Sequence, residues 1–368
     1  MASPPSLGRE EEIPRTNRSY VVPSTGHTYA YIFHPARDEG DGNDEKRGKG
    51  RGKKATLLWL HGFPSTSAEW RHQITYFKDL GYGILAPDLL GYGGTSKPKD
   101  INAYVGKSMA SEIIAIIDHE SIASPIIAIG HDWGTYLTSR LATFHGNRFE
   151  KFVFVSVPFG RPGIKGDVPL INRKTKEKLG YEQLGYQEWF AEEEAGRILG
   201  ENWEPFYNLV YPTDPTIWTT SFAPLGALKH FLQTQTADSS SHILAPWISP
   251  AAKEHHHSVF GDNYDAPLMW YKRGMVSLGW EEEKEMLEKG EIEGGLEGVD
   301  VLMVGGLRDT VCGAETARGM IKGSVEEGRL RCVDIDAGHW IMLEKPGETN
   351  EILRGFFEER EEGEGSKL

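Results

Sequence analysis

Asp132 stands in the pentapeptide GHDWG, residues 130–134, directly after the apolar run at 126–129. An apolar run bounded by a sharp turn reads as a fully buried strand, and the helix-compatible stretch 135–144 follows it. A strand, elbow and helix in that order lift the central side chain clear of a sheet, which is how a nucleophile is presented. More often the central residue is a serine, whose hydroxyl attacks only after a base takes its proton. A carboxylate, with an ordinary pKa near ~3.9, is ionised at neutral pH and needs no such preparation. The exchange moves the expected chemistry from acyl transfer to displacement at an alkyl carbon. The competing reading makes Asp132 a cap for the following helix, a position where Asp is favoured.

A carboxylate that attacks carbon becomes an ester, and its release needs a water activated by a base. His339, in DAGHW, lies just past an apolar run at 330–335, and Asp309, in GGLRD, lies just past another at 299–304. Both therefore fall at strand ends, after the nucleophile and in the order acid, base. Asp336 and Asp300 compete with Asp309 as the orienting acid. Asp336 sits close behind His339, where the chain must already be turning, so Asp309 is favoured. HGFP at 61–64 supplies an oxyanion hole: the N–H groups of Phe63 and of Trp133, the residue after the nucleophile, would converge on the ester oxygen. Pro64 stiffens that turn, and His61 is expected to brace the loop by hydrogen bonding.

These groups need a sheet to hold them. Strands are expected at 20–22, 28–33, 55–60, 81–86, from 126, and at 151–157, 299–304 and 330–335. Helices are expected at 106–119, where Met109, Ile113, Ile116 and Ile117 recur at helical spacing, and at 349–358. Strands alternating with helices imply an α/β fold with a mostly parallel sheet covered on both faces, whose functional groups gather at the carboxyl ends of the strands. Between 160 and 290 the alternation stops and tryptophans, tyrosines and prolines crowd in. We read this as a helical cap inserted between a first core part, 1–159, and a second, 291–358, with helices at 186–199 and 225–235 and a turn at 211–215.

The chain has 368 residues and a formal net charge of -14, from 54 acidic and 40 basic residues. That balance argues against nucleic acid or anionic lipid as the main partner. Cys312 and Cys332 are too few for a disulfide framework and suit a reducing compartment. No secretory signal and no run long enough to span a bilayer is read, so a soluble, intracellular protein is expected. Residues 37–54, of mixed charge and rich in glycine, read as a flexible inserted loop, and 359–368 as a disordered tail. The tail ends in Ser366, Lys367 and Leu368, the tripeptide read by the peroxisomal import receptor. The glycines of 81–94 lack the Lys and Ser/Thr of a phosphate loop. His255, His256 and His257, with His242 nearby, invite a zinc reading, but consecutive histidines do not converge on one tetrahedral ion, so no metal is expected.

HGFP, GHDWG, DLLGYGGTSKP at 88–98 and AGHW at 337–340 together resemble the epoxide hydrolases of the α/β-hydrolase fold, over residues from about 20 to about 358. In that fold the triad follows the chain order nucleophile, acid, base, as Asp132, Asp309 and His339 do. Within the cap, YQEWF at 186–190 and WYK at 270–272 resemble the segments bearing the two lid tyrosines. The resemblance implies that Tyr186 and Tyr271 hydrogen-bond the epoxide oxygen and protonate it as the ring opens. Tyr181, Tyr207, Tyr211 and Tyr264 are further cap tyrosines among which that pair has to be chosen. It implies an ester on Asp132, hydrolysed by a water that His339 activates, a vicinal diol as product, and no metal or organic cofactor. Thr135 departs from the pattern, standing where many relatives have a glycine.

Two alternatives stay open. A haloalkane dehalogenase shares the Asp nucleophile, but usually has Asn where Phe63 stands and lacks the tyrosine pair. A non-catalytic ligand-binding protein of the same fold should have lost a catalytic group, and none is missing. The terminal tripeptide suggests a fatty-acid or lipid-derived epoxide as substrate, and an aromatic-rich cap suits an apolar tunnel.

Overall fold

The computed structural model describes residues 12–37, 54–123, 125–261 and 263–359. The expected loop at 37–54 and the terminal tripeptide Ser366, Lys367 and Leu368 lie, apart from Arg37 and Lys54, outside the described residues.

Eight strands form one sheet: β1 (Arg18–Val21), β2 (Thr28–His34), β3 (Thr56–Leu60), β4 (Gly83–Pro87), β5 (Ile126–His131), β6 (Lys151–Val155), β7 (Asp300–Gly306) and β8 (Leu330–Ile335). Their spatial order is β1-β2-β4-β3-β5-β6-β7-β8. β2 runs antiparallel to its neighbours β1 and β4, and all pairings from β4 through β8 are parallel. Every residue of β3, β4, β5 and β6 is buried, as a parallel sheet covered on both faces requires. The covering helices of the first half are α1 (Arg71–Asp79), α2 (Gly106–His119) and α3 (Trp133–His145). Met109, Ile113, Ile116 and Ile117 of α2 are all buried, so its apolar stripe is the face it turns to the protein.

Between β6 and β7 the chain runs through helices spanning residues 168 to 288 that lie over the carboxyl edge of the sheet. They are seated on it by directional bonds. The Trp270 indole donates to Leu90 O at 2.8 Å, and Arg273 donates to the Tyr136 hydroxyl at 2.7 Å. Arg140 of α3 grips both carboxylate oxygens of buried Glu283 at 2.6 and 2.8 Å. Among the described residues no helix is long and apolar enough to cross a membrane.

The structure moves several expected boundaries. The single helix expected at 186–199 is two, Gly185–Phe190 and Ala195–Glu201. The break falls where Glu192 and Glu194 turn toward Lys229, at 3.8 and 2.7 Å. Gly196 then packs against Asp265, where a Cβ would lie 2.1 Å from the carboxylate. β7 continues two residues past Val304, because Gly305 and Gly306 extend the ladder without contributing an apolar side chain. β6 ends two residues before 157, because Ser156 adopts a positive φ of 65° and turns the chain.

Candidate active site

β5 delivers Asp132 at its carboxyl end, and the elbow there is built by what its neighbours lack. A Cβ on Gly130 would lie 2.4 Å from the Thr138 hydroxyl, and one on Gly134 would lie 2.1 Å from Leu60 O. A Cβ on Gly62, across from the elbow, would lie 2.4 Å from the Asp132 Cβ. Asp132 itself takes φ 50° and ψ -121°, a left-handed backbone that a side-chain-bearing residue enters only when its surroundings impose it. Its carboxylate makes no capping bond to α3, so the helix-cap reading is set aside. Instead Oδ1 accepts the Phe63 N–H at 2.8 Å. The Trp133 N–H is the first amide of α3 and has no acceptor within the helix. His61 braces this loop as expected: its Nε2 accepts the Leu89 N–H at 2.9 Å, and its Nδ1 lies 2.9 Å from Gly62 O.

The ends of β7 and β8 bring up the other two members. His339 Nδ1 lies 2.9 Å from Asp309 Oδ2, and His339 Nε2 lies 3.8 Å from Asp132 Oδ2. The second distance is too long for a direct hydrogen bond. Asp309 Oδ1 accepts the amides of Val311 and Cys312 at 2.8 and 3.2 Å, which fixes the acid's orientation. The rival acids are engaged elsewhere, Asp336 with Arg308 and Asp300 with Arg329. Burial works to raise the Asp309 carboxyl, but the charge and hydrogen bond of His339 and the two amides hold it below the ordinary range. Burial also works to lower His339, and Asp309, with Asp132 and Glu69 behind it, outweighs that and raises it.

Over Asp132 lies a small cavity whose wall includes Phe63, Tyr186, Trp218, Phe222, Tyr271 and His339. Tyr186 comes from the short Gly185–Phe190 helix and Tyr271 from the helix Asp265–Met275. The two rings are 6.0 Å apart, and the Tyr271 ring stands edge-on to Phe63 and Trp133 at 5.0 and 5.2 Å. Both hydroxyls are raised above the ordinary phenol range, Tyr186 by burial and then by Asp132, Tyr271 by burial and then by Tyr186 and Asp132. They therefore remain protonated donors at neutral pH. The other cap tyrosines have different tasks: Tyr211 donates to Pro64 O at 3.3 Å, and the Tyr264 hydroxyl bonds His256 at 2.8 Å.

The arrangement thus brings Asp132, Asp309, His339, Phe63, Trp133, Tyr186 and Tyr271 to one place. Three wall residues, Trp218, Phe222 and Val311, carried no signal in the sequence beyond being apolar. The histidine run does not converge. His256 is buried and lowered to about 3 by that burial, His257 stacks on Trp203 at 4.1 Å, and His255 lies 3.5 Å from the Thr66 hydroxyl. Among the described residues no group of three metal-binding side chains is brought together.

Comparison with known proteins places this geometry in a family. The family model described as alpha/beta hydrolase fold matches residues 55–346. The chain is 25% identical over 94% of its length to Epoxide hydrolase srdG of Neurospora crassa, of which it covers 96%. It is 27% identical over 82% of its length to Epoxide hydrolase A of Mycobacterium tuberculosis, covering 89% of it. Among solved structures, Epoxide Hydrolase A from Mycobacterium thermoresistibile superposes with a TM-score of 0.68 at 22% identity, over 93% of this chain and 98% of that one. The epoxide hydrolase VrEH1 from Vigna radiata gives 0.67 at 23%, over 95% and 98%. With a sheet, an elbow and a strand-end acid and base in these positions, the chain belongs to the alpha/beta hydrolase fold family.

Proposed function

We propose that this protein is an epoxide hydrolase that opens an apolar epoxide to a vicinal diol through an ester on Asp132. The observation that carries the reading is the facing of two protonated, buried phenols and a carboxylate across one aromatic cavity. An alkoxide is a poor leaving group, so opening the ring needs acids opposite the nucleophile. Asp132 attacks one ring carbon, that C–O bond breaks, and the departing oxygen takes a proton from the Tyr186 and Tyr271 pair. His339, oriented by Asp309, then takes a proton from water. The water attacks the ester carbonyl while the Phe63 and Trp133 N–H groups hold the oxyanion. Collapse breaks the ester C–O bond: the leaving oxygen takes the proton held by His339, the proton left on the added water oxygen returns to the tyrosine pair, and the Asp132 carboxylate is restored as the diol departs, with no metal or organic cofactor called on in these steps. The relatives named as epoxide hydrolases support the same reading.

Release of a halide would ask for free indole N–H donors beside the nucleophile. Here the Trp218 and Trp340 indoles are spent on Leu209 O at 2.6 Å and Val210 O at 2.8 Å, and the Trp133 indole, beside the nucleophile, is directed at the Tyr271 hydroxyl. For the substrate we take an epoxide on a fatty-acid or related lipid chain, and for the location the peroxisome, entered through the import receptor's recognition of Ser366, Lys367 and Leu368. The terminal tripeptide supports both.

The deciding experiment incubates a His339→Gln variant with styrene oxide, with an epoxystearate and with 1-bromobutane, and measures the mass of the peptide carrying Asp132. An epoxide adduct there is the expected result, and an adduct with the haloalkane alone would overturn it. Turnover of styrene oxide far above that of epoxystearate would sink the lipid assignment. A fluorescent fusion that stays diffuse in cells whether or not Leu368 is present would sink the peroxisomal one.

A further inference from the structure

Just past Tyr271, on the same turn of the helix Asp265–Met275, stands Arg273, which is 4% exposed. Its Nη2 donates to the Tyr136 hydroxyl at 2.7 Å and to Leu278 O at 2.9 Å, and its Nε has no partner among the described residues. The Arg273 Cζ lies 4.0 Å from the centre of the Tyr136 ring, and the Arg140 Cζ lies 4.4 Å from the same centre. Arg140 is balanced by Glu283, whose two carboxylate oxygens it grips. Arg273 instead bonds a phenol and a backbone carbonyl. A guanidinium buried without a bonded carboxylate is costly to place, and nothing in the proposed reaction uses it.

The hydroxyl that receives Arg273 has been given room. Tyr136 lies in the first turn of α3, which starts directly after Asp132, and α2 begins with Gly106 against the Tyr136 oxygen. A Cβ at Gly106 would lie 2.2 Å from that oxygen. On the cap side, residues three apart on a helix share a face, so Trp270 and Arg273 turn to the core together. The Trp270 indole bonds Leu90 O at 2.8 Å, and Arg273 bonds Tyr136. Two ties from one face, at different heights, resist both rotation of the helix about its axis and tilting of its end. Tyr271 lies between them, with its hydroxyl at the far end of a long, rigid side chain where either motion is magnified.

We infer that Tyr136 and Arg273 are positioning residues for ring opening, whose bond holds the Tyr271 hydroxyl opposite Asp132. Tyr136 and the nucleophile issue from the same elbow, so the bond refers the acid's helix to the segment that carries the carboxylate. As the C–O bond of the ring breaks, the departing oxygen must meet the Tyr271 hydrogen within hydrogen-bond reach. A misplacement of about 1 Å costs up to about 100-fold, and Tyr186, on a separate helix, keeps its place and limits the loss to about tenfold. Attack of water on the ester relies on His339, Asp309 and the Phe63 and Trp133 N–H groups, none of which rests on this bond.

The inference rests on the epoxide-opening reading, and its test separates the two. Full-length Tyr136→Phe keeps the ring against both guanidiniums and removes only the acceptor. Rapid-quench measurements with styrene oxide follow formation and decay of the ester on the Asp132 peptide. In Tyr136→Phe, ester formation should slow about tenfold while decay stays within about threefold of wild type, so kcat/KM falls with formation. In a Tyr271→Phe background the same change should cost less than about threefold, because no hydroxyl remains for the bond to place. Arg273→Met breaks the bond from its other end and should reproduce both results, which keeps the test open if Tyr136→Phe does not fold. Ester formation within about threefold of wild type in either variant, formation and decay slowing alike, or an undiminished tenfold loss in the Tyr271→Phe background would overturn the inference. A wild-type enzyme that forms no ester with any epoxide would instead refute the reading on which it depends.

Discussion

Replacing Tyr271 by Phe removes one oxygen from the roof of the cavity and leaves the ring. The ring packs against Phe63, Trp133 and Phe190 at centroid distances of 5.0, 5.2 and 4.8 Å, and Phe fills the same contacts, so stability should hold. A positioned general acid contributes about 10²–10⁴-fold to a rate. Here a second phenol, Tyr186, remains on the same oxygen and keeps part of that assistance, so the single substitution belongs at the lower end. About 100-fold, or ~2.7 kcal/mol of barrier, is expected. Tyr186→Phe should cost about as much, because it too keeps its ring contacts and loses only a long 3.3 Å bond from Gln187. With both hydroxyls gone no acid is left, and the double variant should fall to about 10⁴-fold or below. The loss must appear in ester formation, measured by single-turnover quench, with the decay of ester already formed unchanged. Ester formation within about threefold of wild type in the double variant would refute the assignment of the leaving-group proton to this pair.

The pH dependence of kcat follows from the raised His339: only the neutral ring accepts a proton from water, so activity should rise as pH passes its pKa, along a limb lying above the ordinary histidine value of ~6.5. The buried phenols, also raised, should not lose their protons near the ordinary tyrosine value of ~10, and a limb below ~6.5 in a kcat profile would contradict the assignment of the base. Asp309→Asn removes the charge that does most to raise His339 against its burial, so that limb should move to lower pH while ester decay slows about 100-fold or more in quench experiments. Glu283→Ala strands Arg140 in a buried site and should cost about 3–5 kcal/mol in urea unfolding. A loss below about 1 kcal/mol would place the pair with exposed ones.

The reacting groups were legible because each follows an apolar run, and the period of such runs is a property of sequence. Asp132, Asp309 and His339 all sit where a strand stops, and sheet topology did the rest. Tyr186 and Tyr271 were legible only by resemblance, since nothing in the spacing of cap aromatics separates them from Tyr211 or Tyr264, whose hydroxyls bond elsewhere. Glu69 gave no signal at all. It stands in the short polar stretch after HGFP and reads as a solvated residue, and only the approach of β5 buries it against His131. The broken cap helix escaped for a similar reason. At the break Glu192 and Glu194 meet Lys229, and just past it Gly196 packs on Asp265, both partners distant in sequence.

The glycines around the elbow also bear on how such chemistry can change over generations. What bends the chain at position 132 is the closeness of Leu60, Thr138 and the opposing Gly62, none of which depends on the group carried there. The Phe63 N–H likewise points at an oxygen without distinguishing what bears it. A lineage could therefore exchange one nucleophile for another at this position and inherit the bend, the base and the anion pocket intact. The scaffold fixes a location in space, and the identity of one side chain decides which bond is broken there.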